Sequence, residues 1–85
     1  MQYSVDEEIQ LLVDAGLLTE RQAQAYIYRE VELVPRDAAA EEMGISVSTL
    51  DDYRADAVAK VEAAEETLDT VEKIRWQAGK PPSDE

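Results

Sequence analysis

The sequence contains no cysteine and no histidine. Their absence excludes thiol catalysis, imidazole catalysis and the common ligand sets of zinc sites. Because no set of nucleophile, base and oxyanion donor can be assembled from the residue types present, the chain is not expected to be an enzyme, and no cofactor or metal is expected. Acidic pairs such as Glu41 with Glu42 are interpreted as solvated helix faces.

Basic residues are also scarce. Eight Lys and Arg residues stand against twenty Asp and Glu residues, which gives a net charge of −12, and only three of the cations are lysines. Such a composition is typical of a disordered acidic chain, of a protein that avoids or mimics nucleic acid, or of a cytosolic protein from a halophile. The helical spacing of apolar residues described below argues against disorder.

Long apolar runs are missing as well. No segment approaches the roughly 20 apolar residues that span a bilayer, and the chain does not open with the features of a signal peptide. We therefore expect a cytoplasmic protein without a membrane partner. Leu, Ile, Val and Phe together account for only 19 of 85 residues. A core of that size is thin, and burial against a second copy would help to stabilise it.

The first half of the chain predicts two helices. Ser4 and Glu7 have the spacing of a capping box and precede an amphipathic pattern near residues 5 to 15, which ends at Gly16. Thr19 and Gln22 repeat the capping signature, and apolar residues then recur at spacings of three and four. A second helix is predicted near residues 20 to 32.

The rest of the chain predicts a short helix followed by a long one. Pro35 marks a break and a suitable first helical position for a helix covering about 36 to 43. Gly44 supplies the positive φ that ends this helix, Ile45 fills the space behind the turn, and Ser46 is an N-cap for the next helix. No Gly or Pro follows until Gly79, so one helix from Val47 to about residue 77 is predicted. The fold class is therefore all-α.

The long helix carries an apolar seam that predicts pairing with a second copy of the chain. Its members alternate spacings of four and three, as in a two-helix contact. The predicted dimerisation residues are Ala57, Val61, Ala64, Leu68 and Val71, together with Trp76 near the helix end. The domain boundaries follow: residues 1–54 form a helical domain, 55–78 the dimerisation helix and 79–85 a disordered tail.

Residues 18 to 50 resemble a known DNA-binding motif. The informative letters are "LTER" at 18 to 21, "REVE" at 29 to 32, "GIS" at 44 to 46 and "STL" at 48 to 50. This segment is similar to the helix-turn-helix in the fourth region of extracytoplasmic-function sigma factors and to the LuxR-type domain. The acidic helical segment after it is similar in pattern to archaeal Tfx-type regulators.

The resemblance implies that residues 36–54 form a helix-turn-helix whose second helix enters the major groove of double-stranded DNA. Arg36 would lie beside phosphates, and the remaining contacts would come from the start of the long helix. These DNA-binding residues are Ser46, Val47, Ser48, Thr49, Asp51, Asp52, Tyr53 and Arg54.

Three positions depart from the pattern of these families. Lys is common where Asp51 stands, Gly is usual where Leu33 stands, and Ser is usual where Pro35 stands. Residues 36 to 60 contain three cations and six acids, which leaves the predicted DNA-binding segment without a basic footprint. At molar salt the Debye length falls to about 3 Å, so repulsion from distant phosphates is screened.

The sequence thus predicts a dimeric, sequence-specific transcriptional regulator of a halophilic archaeon. Its partners would be DNA, a second copy and the transcription machinery that it recruits or blocks. The alternative is a protein-interaction or DNA-mimic module in which a helix-turn-helix has lost its basic face.

Overall fold

The computed structural model describes residues 2–79, and all the regular secondary structure in this range is helical. Helix α1 spans Val5–Asp14, α2 spans Glu20–Tyr26 and continues as a π-helical turn over Ile27–Val31, α3 spans Arg36–Met43, and α4 spans Val47–Gln77. The all-α prediction is confirmed, including the long final helix. The predicted disordered tail, apart from Gly79, lies outside the described residues.

The helix starts follow from local capping. Ser4 and Thr19 each accept a hydrogen bond from the backbone N–H three residues on, and Glu7 and Gln22 accept from the cap residues in return. Both capping boxes are therefore confirmed. Pro35 differs from its prediction, because it occupies the N-cap of α3 and leaves Arg36 as the first helical residue.

The turn between α3 and α4 is closed by backbone hydrogen bonds. Gly44 adopts φ +69°, its N–H donates to the Glu41 carbonyl (3.1 Å), and the Ile45 N–H donates to the Ala40 carbonyl (3.0 Å). These two bonds form a Schellman motif, which favours glycine because its central residue has a positive φ. Ser46 then caps α4 by accepting from the Thr49 N–H (3.1 Å), as predicted.

Two small apolar clusters hold the helices together, and α2 contributes to both. The first cluster consists of Ile9, Leu18, Ala23, Ile27 and Ala57. The second consists of Ala25, Ala39, Ala40, Met43 and Leu50. Alanine at the helix contacts lets the backbones approach closely, and Leu50 is the largest side chain that is completely buried among the described residues. The core is as thin as the composition predicts.

The end of α2 differs from the predicted α-helix. Residues Ile27–Val31 form a π-helical turn in which the Glu32 N–H donates to the Ile27 carbonyl (2.8 Å), and the Val34 N–H donates to the Tyr28 carbonyl (2.7 Å). Leu33, between them, has φ +57° and is the single described non-glycine residue with a positive φ. The backbone thus keeps a left-handed residue at the position where the families that the sequence resembles usually have Gly.

Replacing Leu33 with Gly should stabilise the protein. The left-handed conformation costs a side-chain-bearing residue about 1–2 kcal/mol, whereas the extra freedom of Gly in the unfolded chain costs about 0.4–1 kcal/mol. Leu33 is 74% exposed, so little burial is lost. We expect a net gain of roughly 0.5 kcal/mol in the free energy of unfolding, measured by urea titration. Leu33→Ala is the matched control, since it removes the same side chain and keeps the strain; an equal gain in that variant would contradict the explanation.

Candidate nucleic-acid interface

The first two turns of α4 present different side chains to the core and to solvent. Leu50 points into the second cluster, and Ser48 and Asp52, two residues to either side, lie nearly opposite on the helix and are exposed. Ser46 is also exposed, but its hydroxyl is occupied by the cap and donates to the Thr49 Oγ1 (2.8 Å). The structure therefore leaves a surface of small polar side chains at the tip of the helix.

Two of the predicted DNA-binding residues have packing roles. Val47 and Tyr53 are half-buried and pack against the second cluster. Thr49 is half-buried next to the Ser46 cap. The resemblance assigned all three to the DNA contact, but the protein's own core and cap occupy much of their surface. Of the predicted DNA-binding residues on α4, Ser48 and Asp52 remain exposed.

Arg36 and Asp51 join the start of α3 to the second turn of α4. The Arg36 guanidinium donates from Nε to Asp51 Oδ1 (3.2 Å) and from Nη2 to Asp51 Oδ2 (2.5 Å). This bidentate pair fixes the guanidinium plane. The hydrogen bonds from Arg36 hold the pKa of the Asp51 carboxyl below its usual range, and the same pairing raises the pKa of Arg36. Both groups are therefore charged throughout the neutral range.

A second ion pair connects α4 with the π-helical turn. Arg54 donates from Nε to Glu30 Oε2 at 2.6 Å, and both side chains are partly exposed. Arg29, on the same turn, donates from Nη1 to the Val34 carbonyl (2.8 Å) and so holds the loop that leads into α3. Neither Arg29 nor Glu30 had been assigned a functional role from the sequence.

These contacts gather three arginines around one carboxylate. Besides Arg36, the positive charges of Arg29 and Arg54 also lower the pKa of Asp51. The protein has five arginines in all. Three of them therefore act on one carboxylate in the second turn of α4, although the net charge of the whole chain is −12. Counting charges along the chain could not reveal that these arginines act on the same carboxylate, because their proximity is created by the crossing of α2, α3 and α4.

The predicted dimerisation residues fall into two groups. Ala57 is completely buried in the first cluster, and Val61 is half-buried at its edge. Ala57 therefore cannot belong to a contact with another copy, because the protein's own helices cover it. Further along α4, Ala64 and Leu68 are exposed and Val71 is half-buried. Trp76 is 64% exposed near the helix end.

Within residues 2–79, no helix has the length and apolar character needed to cross a membrane. Comparison of the chain with protein-family models, with curated proteins and with solved structures found no match.

Proposed function

We propose that this protein is a sequence-specific DNA-binding transcriptional regulator that inserts the first turns of α4 into the major groove. The observation that carries the proposal is the exposed Ser48 and Asp52 at the start of α4, in the same stretch of helix as an arginine cluster, Arg29, Arg36 and Arg54, that is held by hydrogen bonds near Asp51. In this proposal the protein acts as a homodimer in the cytoplasm of a halophilic archaeon, and its bound form recruits or blocks the transcription machinery.

The dimensions of the tip suit a groove. An α-helix with its side chains is about 10–12 Å across, and the major groove of B-DNA is about 12 Å wide. Ser48 can donate to or accept from a base edge, and Asp52 can accept from cytosine N4. Short side chains at these positions let the helix backbone approach the bases closely.

The arginine cluster supplies the phosphate contacts that position a protein on DNA. A guanidinium has five N–H donors, and the pair with Asp51 uses two of those on Arg36. The pair with Glu30 uses only the Nε donor of Arg54. Both side chains thus keep donors for phosphate oxygens while the carboxylates fix their orientation. Asp51, in turn, supports Arg36 and does not contact a base.

The acidic remainder of the protein determines the conditions under which DNA binds. At low ionic strength the surplus of carboxylates repels phosphates, whereas at molar salt the Debye length is about 3 Å and only neighbouring charges interact. Arginines that contact phosphates act within that range, as do the Asp51 and Glu30 carboxylates paired with them, whereas acids elsewhere in the chain are screened. Because few phosphates are neutralised, we expect affinity to fall little, or to rise, as KCl is added.

The proposal is tested by selection from a library of random-sequence duplex DNA in about 2 M KCl. At that concentration the electrostatic screening length is short. We expect enrichment of a defined motif. Ser48→Gln should change the preferred bases, and Arg36→Ala should weaken binding to all sequences alike. Ala59→Gln is the matched control, since Ala59 is exposed about 16 Å further along α4 and should alter neither property.

Failure of the folded protein to enrich any DNA in that salt would overturn the proposal. The second candidate, an acidic protein-interaction or DNA-mimic module, would then be favoured. One observation supports it: Arg36 and Arg54 are each already paired with a carboxylate of the same chain. A steep loss of affinity with added KCl would also contradict the assigned mechanism, because it would require many more phosphate contacts than the cluster can make.

A further inference from the structure

One face of α4 is covered by the protein's own core over its first half and is bare over its second half. Leu50 and Ala57 lie on this face and are completely buried. Leu68 lies eighteen residues after Leu50, which is five helical turns, and therefore continues the same face. Its side chain is nevertheless 59% exposed. From Glu62 to Thr70 every residue is exposed, so α4 extends beyond the helices that pack against it.

We infer that this bare segment, residues 62 to 77, pairs antiparallel with the same segment of a second copy of the chain. Leu68 lies at the two-fold axis, and Ala64 faces the partner's Val71. A symmetric pair of this kind is isologous, so one apolar surface serves both subunits. The proposed function requires a dimer but does not specify whether the two helices run parallel or antiparallel. Two features of the structure favour the antiparallel direction.

The first argument is steric. The face that would pair is the one that carries the subunit's own core up to Val61. In a parallel pair both cores would lie between the two helices at the same level and would overlap. In the antiparallel pair the partner's helix ends at about the level of Lys60, and the partner's core lies beyond the end of α4. Only the antiparallel direction brings the bare segments together without overlap of the cores.

The second argument is electrostatic. The segment is acidic along most of its length and basic at its end. The acids are Glu62, Glu65, Glu66, Asp69 and Glu72, and the cations are Lys73 and Arg75. Parallel pairing would place five carboxylates beside five, whereas antiparallel pairing brings the basic end of each helix alongside the acidic start of the other. This arrangement lowers repulsion within the pair, most strongly at low ionic strength.

Light scattering on the full chain in about 2 M KCl, where charge repulsion is screened, tests the pairing. We expect twice the monomer mass of 9.5 kDa. Leu68→Glu should reduce the mass to that of one chain, while its helical circular dichroism stays unchanged because Leu68 is exposed in the subunit. Ala63→Glu introduces the same charge on the outer face of α4 and should remain dimeric. A monomeric wild-type protein, or a dimer that survives Leu68→Glu, would overturn the inference.

Cross-linking tests the direction of pairing. Because the chain has no native cysteine, every disulfide must come from the introduced residues. A mixture of Ala64→Cys and Val71→Cys chains should form a mixed disulfide between the two variants on oxidation. Each variant alone should remain uncross-linked, because in the antiparallel pair like positions are about 9–12 Å apart along the helix axis, which exceeds disulfide reach. Disulfides formed by each variant alone would show a parallel pair instead. These results do not depend on DNA, so they separate failure of the pairing from failure of the proposed function.

Discussion

Leu50→Ala is expected to remove a large part of the protein's stability. Leucine-to-alanine changes at fully buried sites cost about 2.7–5.0 kcal/mol, from lost burial and from the cavity that remains. Domains of this length unfold with roughly 4–13 kcal/mol in total. Leu50 is the largest fully buried side chain described, and its neighbours Ala25, Ala39 and Ala40 are too small to fill the space that it leaves. We expect a loss of about 3 kcal/mol or more.

Urea unfolding followed by circular dichroism in high KCl measures this loss. The matched control is Leu11→Ala, because Leu11 is 49% exposed on α1 and alanine favours the helix. That variant should lose less than about 1 kcal/mol. Equal losses in the two variants would mean that the second cluster does not hold α3 and α4 together. Leu50 lies on the same helical turns as Ser48 and Asp52 and packs into the second cluster. The same experiment therefore shows whether core packing holds the start of α4 in place.

The helices themselves were predictable because their signals are local. Ser4, Thr19 and Ser46 cap the helices that follow them, and Gly44 ends α3 with a positive φ. Each of these signals acts over three to five residues, so the sequence shows it directly. The bounds of α3 and α4 agree with their predictions for this reason.

The π-helical turn was not predictable in the same way. Its apolar residues recur at spacings that an α-helix also satisfies. The wider hydrogen-bonding pattern is completed by Leu33 at positive φ and by Arg29, which donates to the Val34 carbonyl. Leucine rarely adopts such a backbone conformation, so nothing in its identity indicates the turn. The resemblance gave one indication, since Gly is usual at that position.

The candidate interface was predictable only in outline. The sequence placed Ser48 and Asp52 at the start of a helix, and both are exposed there. The ion pairs at the interface join residues fifteen and twenty-four positions apart, and which acid meets which arginine depends on how the helices cross. For the same reason the seam on α4 could not be divided into a buried half and a bare half before the position of α2 was known.

The two proposals together predict an unusual arrangement of recognition surfaces. Ser48 lies nearly opposite Leu50 on α4, so it points away from the face that carries the core and, further along, the pairing surface. In an antiparallel dimer the two recognition surfaces must therefore point in opposite directions. The two Leu50 positions would be about 54 Å apart along the pair, from roughly 36 residues at about 1.5 Å each.

Such a dimer should bridge two DNA segments. Two half-sites on one face of a duplex are about 34–36 Å apart, or a multiple of that distance, and both recognition helices must then approach from the same side. The antiparallel dimer meets neither condition. Library selection should therefore enrich a single half-site, and one dimer should bind a second duplex without releasing the first.

Capture of a fluorescent duplex by an immobilised duplex of the same motif, in high KCl, measures the bridging. Wild-type protein should retain the second duplex, whereas Leu68→Glu should bind the first duplex and lose the second. Ala63→Glu should behave as the wild type, because its charge lies away from the pairing surface. Enrichment of paired half-sites one turn apart, with no capture of the second duplex, would show that both recognition helices face the same side. The antiparallel pairing would then be wrong, while the assignment of Ser48 and the arginine cluster to DNA binding would stand.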